Sequence, residues 1–328
     1  MIRSCCFLFL VSVACCCCSS SVAVARDELQ KPMRPALVQE ALDKNKDIYY
    51  FGLGSNMSRQ KLQGRALDGA PIHIQTMEAA VVPNYRLAFN LKGFPPLEPG
   101  MGSLEPSDSN CKALAKYHQN ECHGALVKLS AQNYNRLMQS EGVGVVNSTS
   151  NNPSYEEIVV MAFPYRNYWW RHGQRPVPAI ALRARDHVRL SHDPCPSKRY
   201  MKLLREGAKE LGLDPEYQLF LENHPVQHIS KWVRNIALCN LVFLSTLSLR
   251  LKVRVVSKLQ NWFLFQVYVP SNHKNGIVKS MSGFLTLLIL APGAVVGSIL
   301  IVLMKTTGTM PPFLLRMMTM LGENHDEN

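Results

Sequence analysis

The feature that most limits the possible folds of this chain is a run of 23 residues without a formal charge, residues 282–304, flanked by Lys279 and Lys305. As a helix rising 1.5 Å per residue, this run is long enough to cross the ~30 Å hydrocarbon layer of a bilayer, even with Pro292 inside it. So long an apolar run exceeds what a soluble core usually covers. It therefore predicts a transmembrane helix at residues 282–304.

The net charge of +12 is distributed unevenly along the chain. Residues 49–228 carry 20 Lys and Arg against 16 Asp and Glu, whereas residues 229–322 carry 10 Lys and Arg and no acid. A basic segment rich in Leu, Val and Met fits anionic lipid headgroups better than a nucleic acid, because no base-reading or base-stacking module accompanies it. We therefore expect residues 229–328 to form a membrane-associated tail that binds lipid and no nucleic acid.

A shorter apolar stretch in the tail, residues 236–249, leads into a basic cluster. Its 14 residues fall short of an ordinary span, so an interfacial helix is the preferred interpretation and a tilted second span is the alternative.

The N-terminus has the pattern of a targeting sequence. Arg3 precedes an apolar stretch over residues 6–18, and an Ala-Val-Ala string at residues 23–25 follows. This order predicts a cleaved signal peptide, residues 1–25. Such a leader directs a protein into the secretory pathway or into the first step of import into a plastid-type or other complex organelle, and both destinations stay open.

Six of the ten cysteines lie in the first 18 residues. The other four have no CxxC spacing and no clustered histidines, so the pattern predicts no zinc site. A Cys111–Cys122 bridge and two free thiols are equally compatible with the sequence.

Residues 26–47 are predicted to be a polar lead-in, in which Pro32 and Pro35 discourage early helix. The following residues, 48–228, alternate short β-rich runs with Gly, Pro, Asn and Ser, which indicates a mostly β or α+β domain. We predict strands at residues 48–52, 78–91, 122–129, 156–163 and 177–182, and helices at residues 130–140, capped by Ser130, and 197–211, ending at Gly212.

The most informative short string is Tyr-Phe-Gly-Leu-Gly-Ser-Asn-Met at residues 50–57. Here an apolar strand gives way to a glycine turn, whose backbone N–H groups can converge on an anion. The string lacks the third glycine of a dinucleotide fingerprint and the Gly-Lys-Ser/Thr of a P-loop. It predicts a binding loop of another kind.

Four further strings follow in order: Ser-Glu-Gly-Val at residues 140–143, Ser-Tyr-Glu-Glu at 154–157, Pro-Ser-Lys-Arg-Tyr at 196–200 and Glu-Gly-Ala-Lys-Glu-Leu-Gly at 206–212. Together with the glycine turn, they resemble the gamma-glutamylcyclotransferase family in order and relative position, over about residues 48–225.

The resemblance implies an α+β fold, a small β-barrel with flanking helices, and the conversion of a γ-glutamyl amino acid or peptide into 5-oxoproline and the free amine. It thereby implies a lyase or acyltransferase of glutathione metabolism. Glu141 matches the family's catalytic acid/base. The positions that match the family's substrate-binding residues are Tyr50, Phe51, Gly52, Leu53, Gly54, Ser55, Asn56, Tyr155 and Tyr200.

This chemistry needs few catalytic groups. The α-amine of a γ-glutamyl compound can fold back onto its own γ-carbonyl, so the nucleophile is already tethered and no Ser or Cys attack is required. A carboxylate must remove a proton from the α-ammonium and return one to the departing nitrogen. We therefore expect a metal-independent enzyme without a cofactor.

One position departs from the family pattern. Leu53 stands where an aromatic residue is common before Gly-Ser-Asn, which puts the preferred leaving group in doubt. This departure and the unusual tail motivate a second hypothesis, a non-catalytic, membrane-tethered module that binds a γ-glutamyl or other small acidic metabolite. A third is a structural membrane protein whose soluble part only packs.

Overall fold

The computed structural model describes residues 34–65, 69–107, 120–143, 153–165, 175–250, 264 and 276–311. The predicted signal peptide, residues 1–25, lies outside these ranges, as does Cys111. The strands are β1 (Ile48–Gly52), β2 (Thr76–Pro83), β3 (Tyr85–Phe94), β4 (Glu98–Pro106), β5 (Glu121–Leu129), β6 (Tyr155–Pro164) and β7 (Val177–Ala184). The helices are α1 (Ala36–Asp43), α2 (Arg59–Gln63), α3 (Ala131–Ser140), α4 (Lys198–Glu210), α5 (Pro215–Asn223), α6 (Lys231–Arg250) and α7 (Gly276–Thr306).

A closed barrel of five strands, in the order β1-β5-β2-β6-β7, forms the centre of the domain. Neighbouring strands are antiparallel, except that β1 closes the barrel against β7 in parallel, with Tyr50 opposite Ile180. Strands β3 and β4 form a separate two-stranded sheet. With the helices around it, this architecture confirms the predicted α+β class and the small barrel.

Alternate residues of β1 face two different apolar clusters, as the period of a strand requires. Phe51 packs with apolar side chains from all five barrel strands, so this cluster fills the barrel. Small residues such as Ala179 and Ala181 keep the narrow interior packed. Tyr50 faces the opposite way, into a cluster covered by α3.

The predicted strand at residues 78–91 is wrong in one respect, because it is two strands. Asn84 has a φ of 63°, a left-handed conformation that asparagine tolerates, and there the chain leaves the barrel to start β3. The apolar pattern continues across this break and therefore hides it. Strand β4 was not predicted, because its sequence, Glu-Pro-Gly-Met-Gly-Ser-Leu-Glu-Pro, contains residues that are rare in strands.

The helix ends confirm the predicted capping signals. The Ser130 hydroxyl accepts a hydrogen bond from the Asn133 N–H, and the Ser197 hydroxyl accepts one from the Tyr200 N–H. Gly212 follows α4 with a φ of 63°. The segment predicted as a polar lead-in contains α1, which begins directly after Pro35 and buries Val38 against the domain core.

In the tail, the apolar stretch at residues 236–249 lies within α6, a helix of 20 residues. Helix α6 packs closely against α7 at two glycines: a Cβ atom on Gly293 would lie 2.0 Å from Asn240 Oδ1, and one on Gly297 would lie 1.8 Å from the Cys239 carbonyl oxygen. Among the residues that the structure describes, one helix, Met281–Thr306, has the length and apolar composition of a membrane span.

Candidate active site

The glycine turn after β1 is held in one conformation by its contacts. Leu53 is extended, and residues Gly54–Met57 form a short 3-10 helix. Gly54 has a φ of 61°, and a Cβ atom on it would lie 2.5 Å from the Tyr200 hydroxyl. Only glycine therefore fits at this position, for both its backbone conformation and its space.

Glu141 lies at the C-terminal end of α3, where the helix stops. Its N–H donates to the Leu137 carbonyl, and the N–H of Val143 donates to the Met138 carbonyl. Gly142, with a φ of 69°, takes the left-handed conformation that often ends a helix. Because Leu137 and Met138 are fully buried, the backbone that carries Glu141 is fixed by packing.

Asn56 connects the turn to Glu141. Its Nδ2 atom donates one hydrogen bond to Glu141 Oε1 and another to the Tyr50 hydroxyl, both at 2.8 Å. Asn56 is buried, and the Glu141 side chain is 9% exposed. The structure thus brings together three residues that the sequence predicted as one site, from β1, the turn and the end of α3.

Arg65 is a member of this cluster that the sequence analysis missed. It follows α2, and its Nη1 atom lies 2.7 Å from Glu141 Oε1. Its Nη2 atom donates to the Ser55 hydroxyl at 2.5 Å. No motif marks a lone arginine in Gln-Gly-Arg; the available signal was that a buried carboxylate requires a compensating charge.

Tyr155 and Tyr200 meet at a second residue that the sequence analysis missed, Gly102 of β4. The Gly102 N–H donates to the Tyr200 hydroxyl at 3.0 Å, and the Tyr155 hydroxyl donates to the Gly102 carbonyl at 3.1 Å. A Cβ atom on Gly102 would lie 2.7 Å from the Tyr200 hydroxyl. This strand therefore needs a glycine where the two tyrosines converge.

The electrostatics of the cluster keep its hydroxyls neutral and its guanidinium charged. Burial raises the pKa of Tyr50 and Tyr155, and raises that of Tyr200 to about 12, while the negative charge of Glu141 adds to the increase in all three. Burial lowers the pKa of Arg65, but the surrounding groups, Glu141 first, raise it by more, so the net pKa lies above its ordinary value. At neutral pH the three hydroxyls therefore keep their protons and Arg65 is a cation.

Two of the predicted substrate-binding residues have side chains outside this cluster. Phe51 is buried in the barrel interior, and the Leu53 side chain packs against the same apolar cluster. Gly52 lies beside the site, where a Cβ atom would come within 3.1 Å of the Asn56 carbonyl oxygen. The residues brought together are Tyr50, Gly52, Gly54, Ser55, Asn56, Glu141, Tyr155 and Tyr200.

Other chemistry in the described part of the chain is limited. Cys122 is a free, buried thiol, and burial raises its pKa to about 12, so it is not a thiolate at neutral pH. No group of three or more His, Cys, Asp and Glu in the described ranges could hold a metal ion.

Comparison with known proteins gives the following similarities. No family model matches the chain. The chain is similar to the gamma-glutamyl cyclotransferase gliK of Claviceps purpurea (strain 20.1), with 29% identity over 199 residues, which is 57% of this chain and 80% of that protein. It is also similar to the gamma-glutamyl cyclotransferase gliK of Aspergillus fumigatus, with 26% identity over 193 residues, 56% of this chain and 64% of that protein, and so spans less than two thirds of that relative.

A solved gamma-glutamyl cyclotransferase structure is 21% identical and covers 58% of this chain and 98% of its own, with a TM-score of 0.42. The chain is therefore similar to curated gamma-glutamyl cyclotransferases over more than half of its length, in agreement with the resemblance carried by its motifs.

Proposed function

We propose that the chain is a γ-glutamyl cyclotransferase, which converts a γ-glutamyl amino acid or peptide into 5-oxoproline and the free amine. The observation that carries this proposal is the contact between Asn56 and Glu141, which holds a nearly buried carboxylate against the glycine turn. The names of the curated relatives support the same reaction class.

Glu141 is the proposed general base and acid. The Asn56 amide and Arg65 Nη1 both contact its Oε1 atom. We therefore assign the proton transfer to Oε2. It removes a proton from the α-ammonium, and the α-nitrogen forms a bond to the γ-carbonyl carbon and then loses a second proton. The departing nitrogen takes up both protons as the old amide bond breaks, and it leaves as an ammonium. The reaction needs no water and no covalent enzyme intermediate.

The glycine turn is the proposed binding site for the substrate's negative charge. The N–H of Asn56 already donates to the Leu53 carbonyl. The proposed donors to the substrate are therefore the N–H groups of Gly54 and Ser55. These would hold the α-carboxylate or the oxyanion that develops on the γ-carbonyl. A preorganised donor of this kind typically contributes ~3 kcal/mol to transition-state stabilisation.

The test is the release of 5-oxoproline by the purified full chain in detergent, over a panel of γ-glutamyl amino acids and glutathione. Glu141→Gln should abolish turnover because the amide cannot accept the proton, while a cooperative melting transition shows that the chain still folds, at a lower temperature because Arg65 loses its ion-pair partner. Glu210→Gln is the matched control, since Glu210 also ends a helix but is exposed. Full activity of Glu141→Gln would contradict the assignment.

The non-catalytic alternative makes a different prediction. A binding module would bind 5-oxoproline or a γ-glutamyl compound in calorimetry without forming product at any pH. Leu53, which motivated this alternative, packs against the barrel cluster, so its side chain is not a direct argument for lost activity. The absence of both binding and turnover would instead favour a structural membrane protein.

We also propose that the tail attaches the protein to a membrane. Helix Met281–Thr306 is about 39 Å long at 1.5 Å per residue, more than the ~30 Å hydrocarbon layer. Large apolar side chains on it face outward, among them Phe284, Leu288, Ile299 and Val302. The proposal includes a signal peptide over residues 1–25. It also includes a location in the secretory pathway or an organelle.

A further inference from the structure

Arg65 joins the two halves of the candidate site. One end of its guanidinium, Nη1, is paired with Glu141 Oε1 at 2.7 Å, and the other, Nη2, donates to the Ser55 hydroxyl at 2.5 Å. Ser55 belongs to the glycine turn, and Glu141 belongs to the end of α3. The guanidinium is therefore a second link between the turn and the carboxylate, beside the direct hydrogen bond from Asn56.

The shape of the guanidinium matters for this link. It is planar and carries its donors in a fixed fork, so two acceptors bound to it hold a defined relative position. A lysine ammonium would retain the charge, but a single nitrogen on a flexible stem would not impose the same geometry.

The two carboxylate oxygens of Glu141 have different roles in this arrangement. Asn56 and Arg65 both hold Oε1, one by an amide hydrogen bond and the other by an ion pair. With Oε1 fixed from two directions, rotation of the carboxylate is restricted and Oε2 keeps one orientation. Proton transfer depends strongly on such alignment.

We propose that Arg65 is a positioning residue for the cyclotransferase reaction: it clamps Glu141 Oε1 to the Ser55 hydroxyl, so that Oε2 faces the α-amine of the bound γ-glutamyl group. This inference rests on the proposed function. Arg65 acts through Glu141 and through Ser55, and both Nη atoms are occupied by these two residues. The guanidinium has further N–H donors, among them a buried Nε without a hydrogen-bond partner among the described residues, so a role as the anchor of the substrate's α-carboxylate is the alternative that the kinetic experiment has to separate.

The kinetic experiment uses the full chain in detergent and 5-oxoproline release from a γ-glutamyl amino acid that the wild type accepts. Arg65→Gln should lower kcat about 100-fold, the size expected when a catalytic group is misplaced by about 1 Å, with KM nearly unchanged. Arg65→Lys should recover part of the loss, and Ser55→Ala should lower kcat by a smaller factor. Arg59→Gln, at an exposed position of α2, is the matched control and should behave like the wild type.

A rise in KM at unchanged kcat would overturn the proposal in favour of a substrate anchor, and unaltered kinetics would overturn it outright. If Arg65→Gln does not fold, Ser55→Ala decides, because it removes one contact of the clamp and leaves the ion pair intact. An unchanged kcat in Ser55→Ala would then refute the clamp.

A thermal double-mutant cycle separates this inference from the proposed reaction. Arg65→Gln, Glu141→Gln and the double variant should give non-additive changes in stability, because the two residues are in direct contact. Additive changes would refute the clamp. If the cycle shows coupling but the wild type releases no 5-oxoproline from any compound of the panel, the proposed reaction fails and the clamp holds as a structural pair.

Discussion

Asn56 and Glu141, 85 positions apart in the chain, are joined by a hydrogen bond of 2.8 Å between the amide nitrogen of Asn56 and a carboxylate oxygen of Glu141. The same nitrogen donates to Tyr50, so the Asn56 amide uses both of its hydrogens. Asparagine is suited to this position because it offers two donors without adding a charge beside the carboxylate.

Asn56→Asp should therefore be far more harmful than its small change in shape implies. It replaces a donor by an acceptor and places a second negative charge beside Glu141, while the Tyr50 hydroxyl also loses its donor. We expect turnover to fall to background and stability to fall by about 1–3 kcal/mol. Assays and melting curves of this variant should be compared with those of Asn223→Asp at an exposed helix end. Equal effects of the two substitutions would show that the contact is unimportant.

Gly102→Ala tests the point at which the two tyrosines converge. The new methyl group would lie 2.7 Å from the Tyr200 hydroxyl, so Tyr200 or the strand must shift. We expect a loss of stability of about 1–3 kcal/mol and reduced turnover. Gly64→Ala is the control, since its φ is −78° and the nearest atom to a new Cβ is 3.5 Å away. A Gly102→Ala protein with the wild-type melting temperature would contradict the packing around Tyr200.

Glu105 of β4 provides a prediction about stability alone. It is buried and paired with Arg183 Nε at 2.8 Å and with Arg189 Nε at 3.2 Å. Glu105→Gln removes the buried carboxylate of this cluster, while Glu156 and Asp186 remain as more exposed partners of the arginines, and it should cost about 1–3 kcal/mol, read from chemical denaturation. The surface pair of Lys202 and Glu206 is the comparison, and Glu206→Gln should cost less than about 1 kcal/mol. Similar costs at the two sites would argue against a buried ion cluster.

Membrane attachment is tested by placing a charge on the outward face of α7. Ile299→Arg should reduce the fraction of protein that resists alkaline carbonate extraction, because a charge in hydrocarbon costs about 2.5–3.5 kcal/mol. Leu219→Arg in α5 is a close control, since Leu219 is 55% exposed and Ile299 is 56% exposed. Recovery of the wild type in the carbonate supernatant, or an equal response to both substitutions, would exclude a span.

The sequence predicts those parts of the site that lie in short, continuous sequence motifs. The turn at residues 50–57 and the end of α3 at Glu141 each have a local reason to form, a glycine with positive φ and a helix stop. Arg65 and Gly102 have no such signal. Arg65 can be recognised as a site residue only when the fold places it beside Glu141. Gly102 lies in β4, a strand that is hard to predict because glycine and proline are rare in strands.

The break at Asn84 was missed for a related reason. An apolar pattern indicates which side chains are buried, but it does not indicate the sheet to which a strand belongs. Strands β2 and β3 each bury four consecutive residues, although β2 belongs to the barrel and β3 pairs with β4. Sheet membership depends on partners that are distant in sequence, so it has to come from the structure.

The separation of β3 and β4 from the barrel means that two different sheets contribute to the site. Glu141 and the glycine turn rest on α3 and the barrel, whereas Gly102, which contacts both tyrosines, belongs to the outlying sheet. Substitutions in that sheet therefore reach the site by way of Tyr155 and Tyr200, whereas the contacts to Glu141 come from Asn56 and Arg65, outside β3 and β4. Variation in the outlying sheet can thus alter one side of the site while the link between the turn and the carboxylate is kept.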